Sequence, residues 1–159
     1  MPARSRPVLP AALLAAGLGL ALGACDREEV YPIAMQDGRY AFSPGAAFVP
    51  VDEARLRATT ARLDRAGGTF VITLPDGAQQ TLAVTFRPRS QWAPDCVTMS
   101  GHALEEIADL SPAPLVIDGH AFQTPLIYAV CWHGRIILAD RHHNQDPQGE
   151  TPSLVLDLL

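Results

Sequence analysis

Residues 69–86 read TFVITLPDGAQQTLAVTF. Two runs rich in β-branched and aromatic residues, 69–74 and 81–86, flank the tripeptide Pro75-Asp76-Gly77. Such runs favour strands, whereas Pro, Asp and Gly favour tight turns. The stretch therefore predicts a β-hairpin and indicates that this part of the chain folds as antiparallel strands.

Similar patterns precede and follow this hairpin. Residues 38–42 alternate aromatic with other side chains and stop at a Ser-Pro-Gly turn, which is typical of a short strand. Further strands are predicted at 115–117 and 121–122 around the Asp118-Gly119 turn, at 126–132 and 135–139 around His133-Gly134, and at 154–158.

One short helix is predicted over 102–110. Leu104, Ile107 and Leu110 recur at spacings of three, behind Ser100 as a capping residue. Many short strands joined by Gly and Pro turns, with one helix, predict a β-rich α+β domain. We expect its antiparallel hairpins to form a small sandwich or a partial barrel.

The stretch 52–66 is compatible with two structures. Asp52 would cap a helix, because its side chain can accept hydrogen bonds from the first turn. Leu56, Ala58 and Thr60 also alternate as they would in a strand. Both readings stay open, and the thin apolar face of the helix slightly favours the strand.

The N-terminal segment has the layout of a secretory signal. Arg4 and Arg6 precede an apolar run over 8–22, which small residues separate from Cys25. The run is marginal for a bilayer core of about 30 Å, which requires roughly 20 apolar residues in a helix. We therefore expect cleavage of the segment instead of its retention as an anchor.

The tetrapeptide Leu22-Gly23-Ala24-Cys25 resembles the lipobox of bacterial lipoproteins at each position. The resemblance implies a diacylglyceryl thioether on Cys25, removal of residues 1–24 and anchoring to a membrane at the periplasmic face of the envelope. Asp26 resembles an inner-membrane retention signal, which favours that membrane. Residues 25–36 are then a lipidated N-terminus and tether, and 37–159 form a single domain.

Charge restricts the partners of the mature chain. The chain has no Lys, and removal of residues 1–24 leaves 10 arginines against 17 acidic residues, which gives a net charge of −7. A negative domain without a basic run argues against nucleic acid and against electrostatic adhesion to anionic lipid. The covalent lipid is then the membrane attachment, and no other cofactor is expected.

Two cysteines remain once Cys25 is acylated. An exported domain folds in an oxidising compartment, so Cys96 and Cys131 are expected to pair, closing a loop worth on the order of 4 kcal/mol. Cys96, Met99, Ser100 and Cys131 in part resemble small bacterial lipoproteins that carry META-type domains. That resemblance implies a disulfide-closed β domain and no activity.

Histidines near the C-terminus form a candidate metal set. His133, Asp140, His142 and His143 offer imidazole and carboxylate ligands suited to zinc or copper. Adjacent histidines in a strand point to opposite faces, and no established metal-binding spacing is present. Solvated loop histidines are the favoured interpretation.

Two further site hypotheses use residues of 96–133. A soft copper site competes with the disulfide, because oxidised thiols cannot bind as thiolates; its ligands would be Cys96, Met99, His102, Cys131 and His133. A hydrolase would combine Ser100, His102 and Asp109, without a Gly-x-Ser-x-Gly elbow. Glu105 and Glu106 are predicted to lie on a solvated helix face.

The leading interpretation is a lipid-anchored, non-catalytic envelope protein whose domain serves as a binding or structural module. Trp92 lies in a polar connection and would be a binding anchor if it were exposed. A periplasmic metal-binding protein and an envelope hydrolase are the two alternatives.

Overall fold

The computed structural model describes residues 29–44, 50–98, 101–130, 134–141 and 152–159, and of 29–31, 93–98 and 101–103 the backbone. The helix α1 spans Glu53–Ala58, and a 3-10 turn spans Arg89–Gln91. The strands are β1 Glu29–Ile33, β2 Gly38–Phe42, β3 Thr60–Asp64, β4 Thr69–Thr73, β5 Gln79–Phe86, β6 Ala93–Thr98, β7 Gly101–Glu105, β8 Ile107–Ser111, β9 Leu115–Ile117, β10 His120–Phe122, β11 Pro125–Ala129, β12 Arg135–Asp140 and β13 Ser153–Leu158.

Eight strands close into an antiparallel barrel in the order β11-β12-β13-β2-β3-β4-β5-β8. Each strand pairs with the next barrel strand along the chain, so the barrel is an up-and-down meander. The hairpin β6–β7 is inserted between β5 and β8, and β9–β10 between β8 and β11. Closure pairs both edges of every barrel strand, which removes the open sheet edges that promote aggregation.

Side chains fill the interior of the barrel. An eight-stranded barrel is just wide enough for the inward side chains of each strand to meet in its centre. The interior residues are at most 5% exposed: Tyr40, Phe42, Ala61, Leu63, Phe70, Ile72, Leu82, Ala108, Leu110, Ile127, Ala129, Ile136, Leu138, Leu154 and Leu156. The barrel therefore has a packed apolar core.

The helix α1 covers one end of the barrel. Asp52 Oδ1 accepts hydrogen bonds from the N–H groups of Ala54 and Arg55 at 3.0 and 3.1 Å, which caps the helix. Leu56 is the buried residue of this helix. The N–H of Asp52 donates to Asp118 Oδ2 at 2.7 Å, so the hairpin β9–β10 is attached to the helix.

The structure confirms the predicted β-rich class with one short helix in the described part of the chain, and the hairpins close a full barrel. The hairpin over 69–86 forms as β4 and β5, with Gly77 at a φ of +84° in its turn. Asp118 and Gly119 have φ values of +48° and +83°, which suit the two-residue turn of a hairpin. The strands predicted at 38–42 and 154–158 are β2 and β13.

The helix predicted over 102–110 is wrong, because this stretch forms β7 and β8 joined at Glu106. The inward residues of β8, Ala108 and Leu110, follow the strand period of two. The stretch 52–66 divides into α1 and β3, so both of its interpretations apply, to different halves.

Part of the predicted tether over 25–36 is regular structure. Glu29–Ile33 forms β1 and pairs in parallel with β7, in a three-stranded sheet of order β1-β7-β6. Among the described residues, no helix is both long enough and apolar enough to span a membrane.

Candidate functional site

Asp140 is the one described member of the predicted metal set, and its carboxylate is already hydrogen-bonded to other groups of the protein. It is 7% exposed. Its carboxylate accepts hydrogen bonds from the N–H of Gln123 at 2.6 Å, the N–H of Thr124 at 3.2 Å and the Thr124 hydroxyl. Burial raises the pKa of Asp140, but these bonds outweigh burial and keep the pKa below its ordinary value.

The histidines of that set, His133, His142 and His143, lie outside the described residues. Within the described ranges, no three His, Cys, Asp or Glu side chains converge as a metal site would require. The metal hypothesis thus stays a prediction, and Asp140 acts here as a cap for the loop between β10 and β11.

Asp109, the carboxylate of the predicted hydrolase set, is held by two arginines. Its Oδ1 and Oδ2 accept hydrogen bonds from Arg87 at 2.6 and 2.9 Å, and Arg141 Nη2 lies 3.1 Å from Oδ1. The bonds from Arg87 lower the pKa of Asp109, against an opposing effect of burial, and Arg141 adds to the lowering. Ser100 and the side chain of His102 lie outside the described residues.

The cysteine predictions fall mostly outside the described residues. Cys25, Met99 and Cys131 are not described, and Cys96 contributes only its backbone, within β6. Lipidation, the disulfide and the soft copper site therefore stay predictions. Trp92 is half-buried and its Nε1 donates to the carbonyl of Arg87 at 3.0 Å, so it does not stand out as an exposed anchor.

A partly buried ion pair, which we call the latch, joins three segments at the barrel end opposite α1. Arg65 Nη1 and Nη2 donate to the two oxygens of Glu106 at 2.5 and 2.9 Å. Glu106 also accepts from the N–H of Met35 at 2.9 Å, and Arg65 donates to the carbonyl of Met35. The guanidinium of Arg65 lies 4.3 Å from the centre of the Phe86 ring.

The latch corrects the prediction for the Glu105-Glu106 pair. Both residues are buried, at 1% and 4% exposure, and neither lies on a solvated helix face. A buried carboxylate requires a charged or hydrogen-bonded partner, and Arg65 supplies it to Glu106 from 41 positions away. The latch is therefore a structural feature that closes one end of the core.

Strands β2 to β5 present a polar outer surface with a depression of about 440 Å³. Arg39 on β2 lies directly opposite Arg62 on β3, so both side chains are on this surface. Thr60 and Thr73 are opposite each other in the neighbouring row. We call the depression the polar groove and define it by Arg39, Thr60, Arg62, Val71, Thr73 and Gln79.

The arginines of the polar groove differ from most others in the described part of the chain. Six described arginines form ion pairs: Arg55, Arg57, Arg65, Arg87, Arg135 and Arg141. Arg39 and Arg62 form none with any described residue, although both are exposed and adjacent. Arg89 is the third arginine without such a partner among the described residues.

Ten carboxylates of the described residues, by contrast, are used within the fold. They accept hydrogen bonds from backbone N–H groups or from arginines: Asp37, Asp52, Glu53, Asp64, Asp76, Glu106, Asp109, Asp118, Asp140 and Asp157. A second depression lies beside α1, where Arg55 Nε is 3.5 Å from Asp118 Oδ1. This depression is lined by one arginine and two aspartates, Arg55, Asp52 and Asp118, so it carries no excess of positive charge.

The polar groove was not among the sites predicted from the sequence. Alternation in 38–42 places Arg39 on the face opposite Tyr40 and Phe42, which is a usable signal. The pairing of Arg39 with Arg62 depends on strand register, which alternation alone does not reveal.

Comparison of the chain with protein-family models, with curated proteins and with solved structures gave no match.

Proposed function

We propose that this chain is a lipid-anchored protein of the bacterial cell envelope and that its barrel is a non-catalytic binding module. The lipobox residues Leu22 to Cys25 support the anchor. A covalent lipid contributes about 0.8 kcal/mol per buried CH₂, so stable anchoring requires more than one acyl chain. The barrel is then presented at a membrane surface.

The single observation that carries the binding role is how the described charges are distributed. Ten of the described carboxylates accept hydrogen bonds within the fold, so these ten are not poised beside a nucleophile. General acid-base chemistry needs a carboxylate or imidazole within reach of a reacting group. The guanidinium groups of Arg39 and Arg62 form no ion pair with a described residue, and they instead suit recognition of a ligand at the barrel surface.

Replacement of Cys25 tests the anchor. Cys25→Ala is expected to abolish labelling with radioactive palmitate and to leave an uncleaved or soluble precursor, because Cys25 is the acceptor thiol. Cys96→Ala is the matched control and is expected to be labelled and processed as wild type. Wild-type labelling of Cys25→Ala would contradict the proposed anchor.

A further inference from the structure

Two neighbouring positive charges in the polar groove are unfavourable unless a ligand neutralises them. Arg39 and Arg62 occupy directly opposed positions on β2 and β3, and both are exposed. Like charges at opposed positions destabilise an antiparallel pair. The whole chain has a formal net charge of −5, so this pair is a local reversal of the overall charge.

Neutral hydrogen-bonding groups lie on one side of the two arginines. Thr60 and Thr73 are half-buried and oppose each other on β3 and β4, and Gln79 opposes Thr73 on β5. Gln79 Nε2 lies 3.5 Å from Thr73 Oγ1, which is at the limit of a hydrogen bond. The groove thus combines two guanidinium groups with two hydroxyls and one amide.

Three side-chain carboxylates near the pair already have partners, and the last residue, Leu159, lies beside Arg39, where its N–H donates to the Arg39 carbonyl at 2.8 Å. Asp37 and Asp64 lie beside Arg62 in a separate depression, where they accept N–H groups of Arg65 and Gly67 at 2.5 and 2.8 Å. Asp157 opposes Ala41 and accepts a hydrogen bond from Arg135 at 2.6 Å. An anion would therefore avoid Asp37 and Asp64 and sit toward Thr60 and Thr73.

From this arrangement we infer that the polar groove binds a phosphate monoester group. Guanidinium groups bind phosphate oxygens through paired, charge-assisted hydrogen bonds, and two of them match the two negative charges of a monoester. The Thr hydroxyls and the Gln79 amide complete the donor set.

The test is calorimetric titration of the detergent-solubilised full chain with glycerol 3-phosphate, at constant ionic strength set with sodium chloride. Saturable binding is expected, and each of R39Q and R62Q is expected to weaken it about tenfold, the loss of one charge-assisted interaction. The matched control R89Q removes another exposed arginine and should bind as wild type. Affinity should fall at pH 5, because a monoester loses its second charge near pH 6.

Two further measurements check that the variants are folded and that binding depends on the charge of the phosphate. The double variant R39Q/R62Q should melt at the wild-type temperature or higher, so its loss of binding is not a loss of fold. Dimethyl phosphate, a monoanionic diester like a phospholipid headgroup, should bind at least tenfold more weakly. Equal binding of the diester, binding retained by R39Q/R62Q, or no saturable binding by wild type would each overturn the inference.

This inference rests on the proposed binding function, and the two fail separately. A chain that carries palmitate but does not bind glycerol 3-phosphate would contradict the ligand alone. A chain that binds glycerol 3-phosphate but is not lipidated would contradict the anchor alone.

Discussion

The outer surface of the barrel differs between its two sides. On β11 to β13, outward-facing Leu126, Ala139, Ser153 and Val155 are buried, with exposures of 7%, 1%, 0% and 5%. On β2 to β5, outward-facing positions such as Arg39, Arg62 and Thr81 are exposed. The outer surface of β11 to β13 is therefore buried at these positions, and we call it the apolar face. The outer surface of β2 to β5 is exposed at these positions, and we call it the polar face.

The sequence of each side reflects this difference. Strands buried on both faces read as continuous apolar runs, whereas half-exposed strands alternate. Residues 154–156 are three consecutive apolar residues, and 136–139 are four. In β3, Ala61 and Leu63 point inward while Thr60 and Arg62 point outward. We infer that the apolar face stabilises the fold. The side chains of the polar face are then available to bind a ligand.

Ion pairs lie at both borders of the apolar face. Asp109 on β8 binds Arg87 and Arg141 at one border. Arg135 on β12 binds Asp157 on β13 at 2.6 Å near the other. Arg39 and Arg62 on the polar face, by contrast, form no ion pair with any residue that the structure describes.

A charge introduced on each face should have very different effects. Val155→Asp is expected to lower the free energy of unfolding by about 3 kcal/mol or more, because it places an unpaired charge in a dry site. Thr81→Asp, its matched control on the polar face, should change it by less than about 0.5 kcal/mol. Urea unfolding measures both, and equal losses would break the distinction between the faces.

Acid should weaken the border of the apolar face. Since the pKa of Asp109 is lowered in the folded state, its contribution to stability is present above its unfolded pKa of about 3.9 and is lost as the pH falls through the folded value. Asp109→Asn is expected to cost about 1 kcal/mol at pH 7, since the pair is partly exposed.

The pH profile separates this border pair from a general effect of acid. The unfolding free energy of Asp109→Asn should depend less steeply on pH than that of wild type below about pH 5. Identical slopes for the two proteins would show that Asp109 does not carry the predicted interaction.

The smallest effect is expected on the polar face. Arg62→Gln should raise the free energy of unfolding by about 0.2 to 0.5 kcal/mol at low salt, because it removes one of two like charges at opposed strand positions. The gain should shrink in 1 M salt, where the screening length is about 3 Å. Arg89→Gln is the control without an opposed arginine, and a loss of stability in Arg62→Gln would indicate that the pair is already neutralised.

Local turn chemistry made much of the fold predictable. Pro75-Asp76-Gly77 and Asp118-Gly119 identify hairpins because only a few residue types suit their backbone conformations. The helix predicted over 102–110 is wrong. Glu106 in this stretch is buried and bonded to Arg65, which is distant in sequence, and no local pattern reveals that partner.

Candidate sites were less predictable than strands. Asp140 and Asp109 have carboxylates that could bind a metal or act as acids. In the structure Thr124 donates a hydrogen bond to Asp140 and Arg87 to Asp109, and each partner lies more than ten positions away in the sequence. The polar groove depends on which residue of β3 faces Arg39. That register depends on how β2 pairs with β3 across the connection that contains α1, and alternation alone does not reveal it.

We propose that the polar face binds a ligand while the apolar face maintains the fold. An amide-resolved NMR titration of the full chain with glycerol 3-phosphate tests it most directly. Saturable shifts are expected at Arg39, Thr60, Arg62 and Thr73, with none on β11 and β12, which do not border β2 to β5. Shifts centred on Ala139, or no shifts at any concentration, would contradict it.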